Sequence, residues 1–193
     1  MRLQQEGLLE ALTNGGYAVK TFSERDVSEA IELRGTMEGL LARLAAERGA
    51  PPVALGEARK CLGEIDAFLA APALSETAFS RYVSLNEKLH ALLPRDGRQP
   101  GHLAAAGPGA QPALRVALGV RDRAGRVAAG ARHAVVAQDQ HWQALEAIEQ
   151  HEGTRAEGVM REHSRITQRN LRQAVRNLDM RSLPGVQLIR RRG

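Results

Sequence analysis

At 193 residues, the chain is long enough to bury one sizeable core without a disulfide or a metal to hold it together. Its one cysteine, Cys61, excludes an internal disulfide and fits a reducing compartment. No apolar run reaches the length of a membrane span and no basic-then-apolar leader opens the chain, so the reading is a cytoplasmic protein without a membrane partner. The formal charge of +5 would ordinarily point to nucleic acid. It lies in one window. From Pro94 to Arg132 there are seven arginines (Arg95, Arg98, Arg115, Arg121, Arg123, Arg126, Arg132), two acids (Asp96, Asp122) and no Lys or Glu, which accounts for the whole excess and leaves the rest of the chain neutral.

The start of the chain, GLLEALTNGGYAVKTF, has the composition of a small hairpin turning at Asn14-Gly15-Gly16. Two strands alone are not stable and need a partner domain. A long helix follows, with Ser23 as cap, Asp26 as its capping-box partner and Phe22 stapling onto Val27. Val27, Ile31, Met37, Leu41 and Leu44 form its inward stripe, and Arg34 falls within that stripe. An arginine there either snorkels, pairs with Glu38 one turn on, or faces a ligand.

Pro51-Pro52 starts a second helix with Leu55, Ala58, Leu62, Ile65 and Leu69 on one face. A third begins near Ser75 and aligns Phe79, Tyr82, Asn86, Leu89 with His90, and Leu93. Helical text then resumes near Val135, where Gln138, His141, Leu145 and Ile148 align and Gly153 is expected to close the helix. Thr154 and Glu157 read as the capping box of a last helix that carries Val159, His163, Ile166, Asn170, Ala174 and Leu178 on one face. The tail SLPGVQLIRRRG is basic and reads as frayed.

Three helices thus direct a metal-capable group into an apolar stripe: Asn86 with His90, then His141, then His163. Imidazoles and an amide oxygen inside a helical bundle suit a divalent transition metal with positions left for water or an anion. Taken alone, three separated histidines are weak evidence for a metal, because each is also compatible with a core histidine hydrogen-bonded to its surroundings. The chain has no HExxH, no Cys/His metal spacing, no Gly-rich phosphate loop and no nucleophile elbow, so no catalytic residue is expected.

The run RLQQEGLLEALTNGGYAVKTFSERDVSEAIELRGTMEGLLARLAAERG resembles the junction of GntR-family bacterial transcription regulators of the FadR-like branch, where a winged helix ends in its wing and enters an all-helical FCD effector domain. LNEKLHALL, QDQHWQALEAI and MREHSRITQRNL resemble the three ligand-bearing helices of that domain. The resemblance implies an all-α antiparallel bundle at 23–180, preceded at 1–22 by a β-hairpin remnant of the winged helix and followed by a basic tail at 181–193. It implies a metal shell of Asn86, His90, His141 and His163 holding Zn or Ni, with Asn86 standing where family members most often have Asp. It implies that Arg34 clamps the carboxylate of a small organic-acid effector, for which a bidentate guanidinium is suited. A homodimer and operator DNA are the family's partners. Because the recognition helix is not part of this sequence, the expectation is that this chain does not itself bind operator DNA, and that it is a truncated copy or a sensing module that titrates full-length regulators. A small His-ligated metalloenzyme is a more distant alternative.

The window at about 94–132 departs from the family. Asp96 to His102 and Pro112 to Arg123 can be encoded so that reading one base later yields MAGNPV and LPFASPSAFVIA, both family-like. The window therefore reads as a segment translated out of frame, with a true Pro/Gly-rich insertion as the competing reading.

Overall fold

The computed structural model describes residues 9–19, 21–70, 76–93, 128–176 and 189–190. Five helices are seen among them: α1 (Glu24–Arg48), α2 (Pro52–Leu69), α3 (Glu76–Leu92), α4 (Ala128–Glu149) and α5 (Gly153–Arg176). The strands are short: β1 (Leu9–Ala11), β2 (Tyr17–Val19), β3 (Phe22–Ser23) and β4 (Ile189–Arg190). Helix dominates, as the apolar periodicity predicts. The greater part of the anomalous window, 94–127, lies outside the described residues, as do Leu178 and the side chains of Phe79 and Ala174.

β1 and β2 pair antiparallel with Leu9 opposite Val19, and the turn uses Gly15 and Gly16 at φ of 86° and 90°, a conformation that glycine adopts without strain. β3 and β4 pair in parallel, Phe22 opposite Ile189, so these two residues of the tail are paired rather than frayed. The tail's composition carries no sign of this, because a two-residue strand has no period.

The start of α1 follows its sequence. Ser23 Oγ accepts from Asp26 N at 3.0 Å and Asp26 Oδ2 accepts from Ser23 N at 2.8 Å, a reciprocal cap of the kind worth about 0.5–2 kcal/mol. Phe22 and Val27 are both buried, as the staple requires. Farther along α1 the buried face differs from the expected stripe. Met37, Leu41 and Leu44 are only half-buried, whereas Gly35, Glu38, Gly39, Ala42, Ala45 and Ala46 are buried. The reason is close packing. A Cβ on Gly35 would collide with the Ser164 side chain, and one on Gly39 would lie 2.7 Å from Arg161 Cγ and 3.0 Å from the Glu157 carbonyl. Small residues let α1 approach α5, and large ones are pushed to the margins.

α2 begins as expected, with Pro51 as N-cap and Pro52 in the first turn, where a missing N–H costs nothing. α4 begins at Ala128, seven residues before the expected Val135. Its first turns are Ala-rich, and alanine favours helix without marking an apolar period. The end of α4 corrects a second expectation. His151, not Gly153, takes the left-handed position (φ 61°), with Glu152 N donating to Ala147 O at 2.8 Å and His151 N to Ile148 O at 3.2 Å. This is the Schellman pattern. Three residues, Gln150 to Glu152, separate α4 from α5, whose first residue is Gly153, so Thr154 lies inside the helix and is not its cap. Glu157 instead pairs with Arg43 at 3.0 Å. The His151 side chain adds a tie, its Nδ1 donating to the Ala46 carbonyl near the end of α1 at 2.7 Å.

The chain divides into two compact units. One holds the hairpin, α1 up to Arg34 and α5 from Thr167 onward; the other holds α1 from Gly35, α2, α3, α4 and α5 as far as Ile166. The second unit contains a continuous core built around Leu62, Ile65, Leu89, Leu145, Ile148 and Met160. Cys61 belongs to it; its thiol donates to the Leu85 carbonyl at 3.1 Å, and burial pushes its ionisation upward. No helix among the described residues is long and apolar enough to cross a membrane.

Candidate metal centre

The polar interior of the second unit is concentrated in one place. Buried among its apolar side chains are Glu38 from α1, Asn86 and His90 from α3, Gln138 and His141 from α4, and His163 from α5. Each sits at a helical repeat from the apolar residues of its own stripe, so the folding that buries Leu89, Leu145 and Met160 carries the polar groups inward with them.

The three imidazoles converge through their outer nitrogens. His141 Nε2 lies 3.4 Å from His90 Nε2 and 3.3 Å from His163 Nε2. One ligand atom from each of the three falls within 4.8 Å of the others. Two nitrogens bound to one ion at about 2.0–2.1 Å and tetrahedral angles stand about 3.4 Å apart. The two short separations match that figure.

The groups behind the rings decide what the converging nitrogens are. Gln138 Nε2 donates to the Leu62 carbonyl at 3.0 Å and to Asp66 Oδ1 at 2.8 Å, which uses both of its hydrogens on α2. Its oxygen is left to face His141 Nδ1 at 3.4 Å. A carboxamide oxygen only accepts, so His141 carries its proton on Nδ1 and presents a lone pair at Nε2. Behind His90 stands Glu38, with Oε1 at 3.1 Å from Nδ1 and both side chains almost wholly buried. The contact is at ion-pair distance, with an angle poorer than that of an ideal hydrogen bond.

A lone pair at His141 Nε2 can accept one N–H, yet two ring nitrogens lie against it. Hydrogen bonding among three neutral imidazoles leaves one of these contacts unfavourable, whereas a cation shared by three lone pairs satisfies all of them. The residues present therefore fit a metal ion. Neutral nitrogen donors favour a transition metal over calcium or magnesium, which seek oxygen.

The FCD domain family matches residues 29–165, well over half of the chain. The chain belongs to the FCD domain family. Its structure is similar to that of Streptococcus agalactiae GntR, with a TM-score of 0.52 at 17% identity over 87% of this chain and 77% of that one. At that identity the likeness is one of fold, and the two findings together support the resemblance to GntR-family regulators drawn from the sequence. No curated protein matches the chain.

Within this FCD domain, His90, His141 and His163 come together. Asn86 is buried one turn before His90 on α3. Arg34 is half-buried and belongs to the other compact unit. Sequence reasoning misses Glu38 and Asp66 as supports. It offers Glu38 only as a partner for Arg34, and the signal that could have found it is its place between Gly35, Gly39 and Ala42, a run of small residues that marks a buried helix face. Asp66 has no such signal, because it becomes a support only through the packing of α2 against α4.

Proposed function

We propose that this chain is the ligand-sensing part of a GntR-type bacterial transcription regulator and works in the cytoplasm without catalysing a reaction. In this reading, residues 1–22 are the wing of a winged helix, 23–180 the FCD effector and dimerisation domain, and 181–193 a basic tail. His90, His141 and His163, with the Asn86 amide as a fourth donor, hold a divalent transition metal, Zn or Ni. The metal supplies a positive centre with coordination room for an anionic ligand, and a small organic acid fits that role; Arg34 is proposed separately as an effector-binding residue, its guanidinium suited to a carboxylate. In regulators of this type the winged helix binds operator DNA, and binding of effector changes the placement of two DNA-reading heads in a homodimer.

The observation that carries this reading is the convergence of the three Nε2 atoms inside a domain of the FCD family. It is tested by thermal unfolding of chelator-treated protein with and without added Zn or Ni, and with a panel of small mono- and dicarboxylates. A metal present at about 100 times its dissociation constant stabilises by about 2.7 kcal/mol, which for a chain of this size raises Tm by about 5–10 °C. A carboxylate effector is expected to add a further rise only when the metal is present. An unchanged Tm with both metals would refute the metal centre, and a carboxylate response independent of metal would detach the effector from it.

A further inference from the structure

Among the described residues, Glu38 is the one charged side chain that is buried; the rest of the buried polar set is Asn, Gln and His. It is 4% exposed, and it stands behind a histidine. The donors that face the candidate metal are all neutral, so a divalent ion there would bring two positive charges into a low-dielectric interior with no compensation from its own ligands. The Glu38 carboxylate lies one imidazole ring away from that position, its Oε1 3.1 Å from His90 Nδ1. A carboxylate in contact with Nδ1 favours the tautomer that carries its proton there and leaves Nε2 free to bind, and it raises the basicity of the ring. His141 obtains its tautomer from the neutral Gln138 amide, so Glu38 is the carboxylate of the pair of supports.

We infer that Glu38 is a positioning residue of the metal centre: it orients His90 through Nδ1 and supplies the negative charge that an all-neutral donor set lacks. This rests on the metal-centre reading above. It makes selectivity for a dication a property of α1, a helix that carries none of the three histidines.

The test compares wild type with Glu38→Gln, which keeps the shape and an accepting oxygen while removing the charge. Cobalt(II) and zinc affinities are measured by competition with a chromophoric chelator, together with the visible spectrum of the cobalt-loaded protein and the melting temperature of the metal-free form. The expected result is a 10–100-fold loss of affinity, a shifted cobalt spectrum, and metal-free melting that is unchanged or higher. Affinity within twofold of wild type and an unaltered spectrum would overturn the inference while leaving the metal centre standing; wild type that binds neither metal would overturn the centre itself. Nitrogen-15 NMR of the histidines in zinc-loaded wild type needs no variant. His90 protonated at Nδ1 and bound through Nε2 supports the inference, and the reverse arrangement overturns it.

Discussion

His90 and His141 bring their Nε2 atoms to within 3.4 Å of each other, and their Nδ1 atoms face different kinds of support. Behind His90 is a carboxylate on α1; behind His141 is a carboxamide on its own helix, three residues away. A carboxylate needs no help to be an acceptor, since every lone pair it presents accepts. A carboxamide can turn over and offer a donor instead, so its direction has to be fixed, and here the Leu62 carbonyl and Asp66 fix it by taking both amide hydrogens. The charged support is simple but costly to bury, and the neutral one is cheap to bury but requires a second layer on α2. The His90 side should therefore govern charge and affinity, and the His141 side should govern order.

The largest effect is expected from removing a ring itself. His141→Ala takes away the nitrogen against which both other Nε2 atoms lie, and metal affinity should fall by more than about 100-fold, beyond the loss that an outer support can cause. Isothermal titration with zinc or nickel checks it. Retention of tight binding would mean that His90 and His163 suffice, and the comparison between supports would lose its object.

A smaller effect, different in kind, is expected from Gln138→Leu. The substitution keeps the volume approximately but leaves His141 Nδ1 without its acceptor and removes both donors to α2, a loss of about 1–3 kcal/mol in the metal-free protein. Chemical denaturation should show this loss, with metal affinity reduced less than by Glu38→Gln. Equal losses of affinity from both supports would contradict the division of roles between charge and order.

Much of this arrangement is legible in the amino-acid sequence. A histidine recurring in an apolar helical stripe has few places to go but inward, and all three are buried. The capping box at Ser23 and Asp26 is legible because it depends on a local spacing of three residues. What the sequence hides is set by packing between helices. The close approach of α1 to α5 depends on Gly35 and Gly39, and a search for large apolar residues gives such positions no weight, so it aligns Met37, Leu41 and Leu44 instead. The same bias hides Glu38, whose neighbours on the buried face are too small to register. His151 escapes for another reason: a left-handed helix end is most often glycine, and Gly153 stands two residues away.

The smallest effect probes the outermost layer of the neutral support. Asp66 uses Oδ1 to hold Gln138 and Oδ2 to accept from Trp142 Nε1 at 2.9 Å, so one carboxylate joins the Gln138 amide to the single tryptophan of the chain. Its side chain lies at the surface, where water can replace a lost partner, and Asp66→Asn should cost only about 0.5–1.5 kcal/mol. The substituted amide still has one accepting oxygen for one of the two donors, and it sets an N–H against the other. If the oxygen turns to Gln138, the indole loses its acceptor and Trp142 fluorescence shifts while metal affinity stays near that of wild type. If it turns to Trp142, the Gln138 amide is freed to rotate, fluorescence stays constant, and affinity falls toward that of Gln138→Leu. Either result says which of the two bonds the packing of α2 on α4 favours. Unchanged fluorescence together with unchanged affinity would show that His141 is held by its ring packing, and that the layered hydrogen bonding behind it adds nothing.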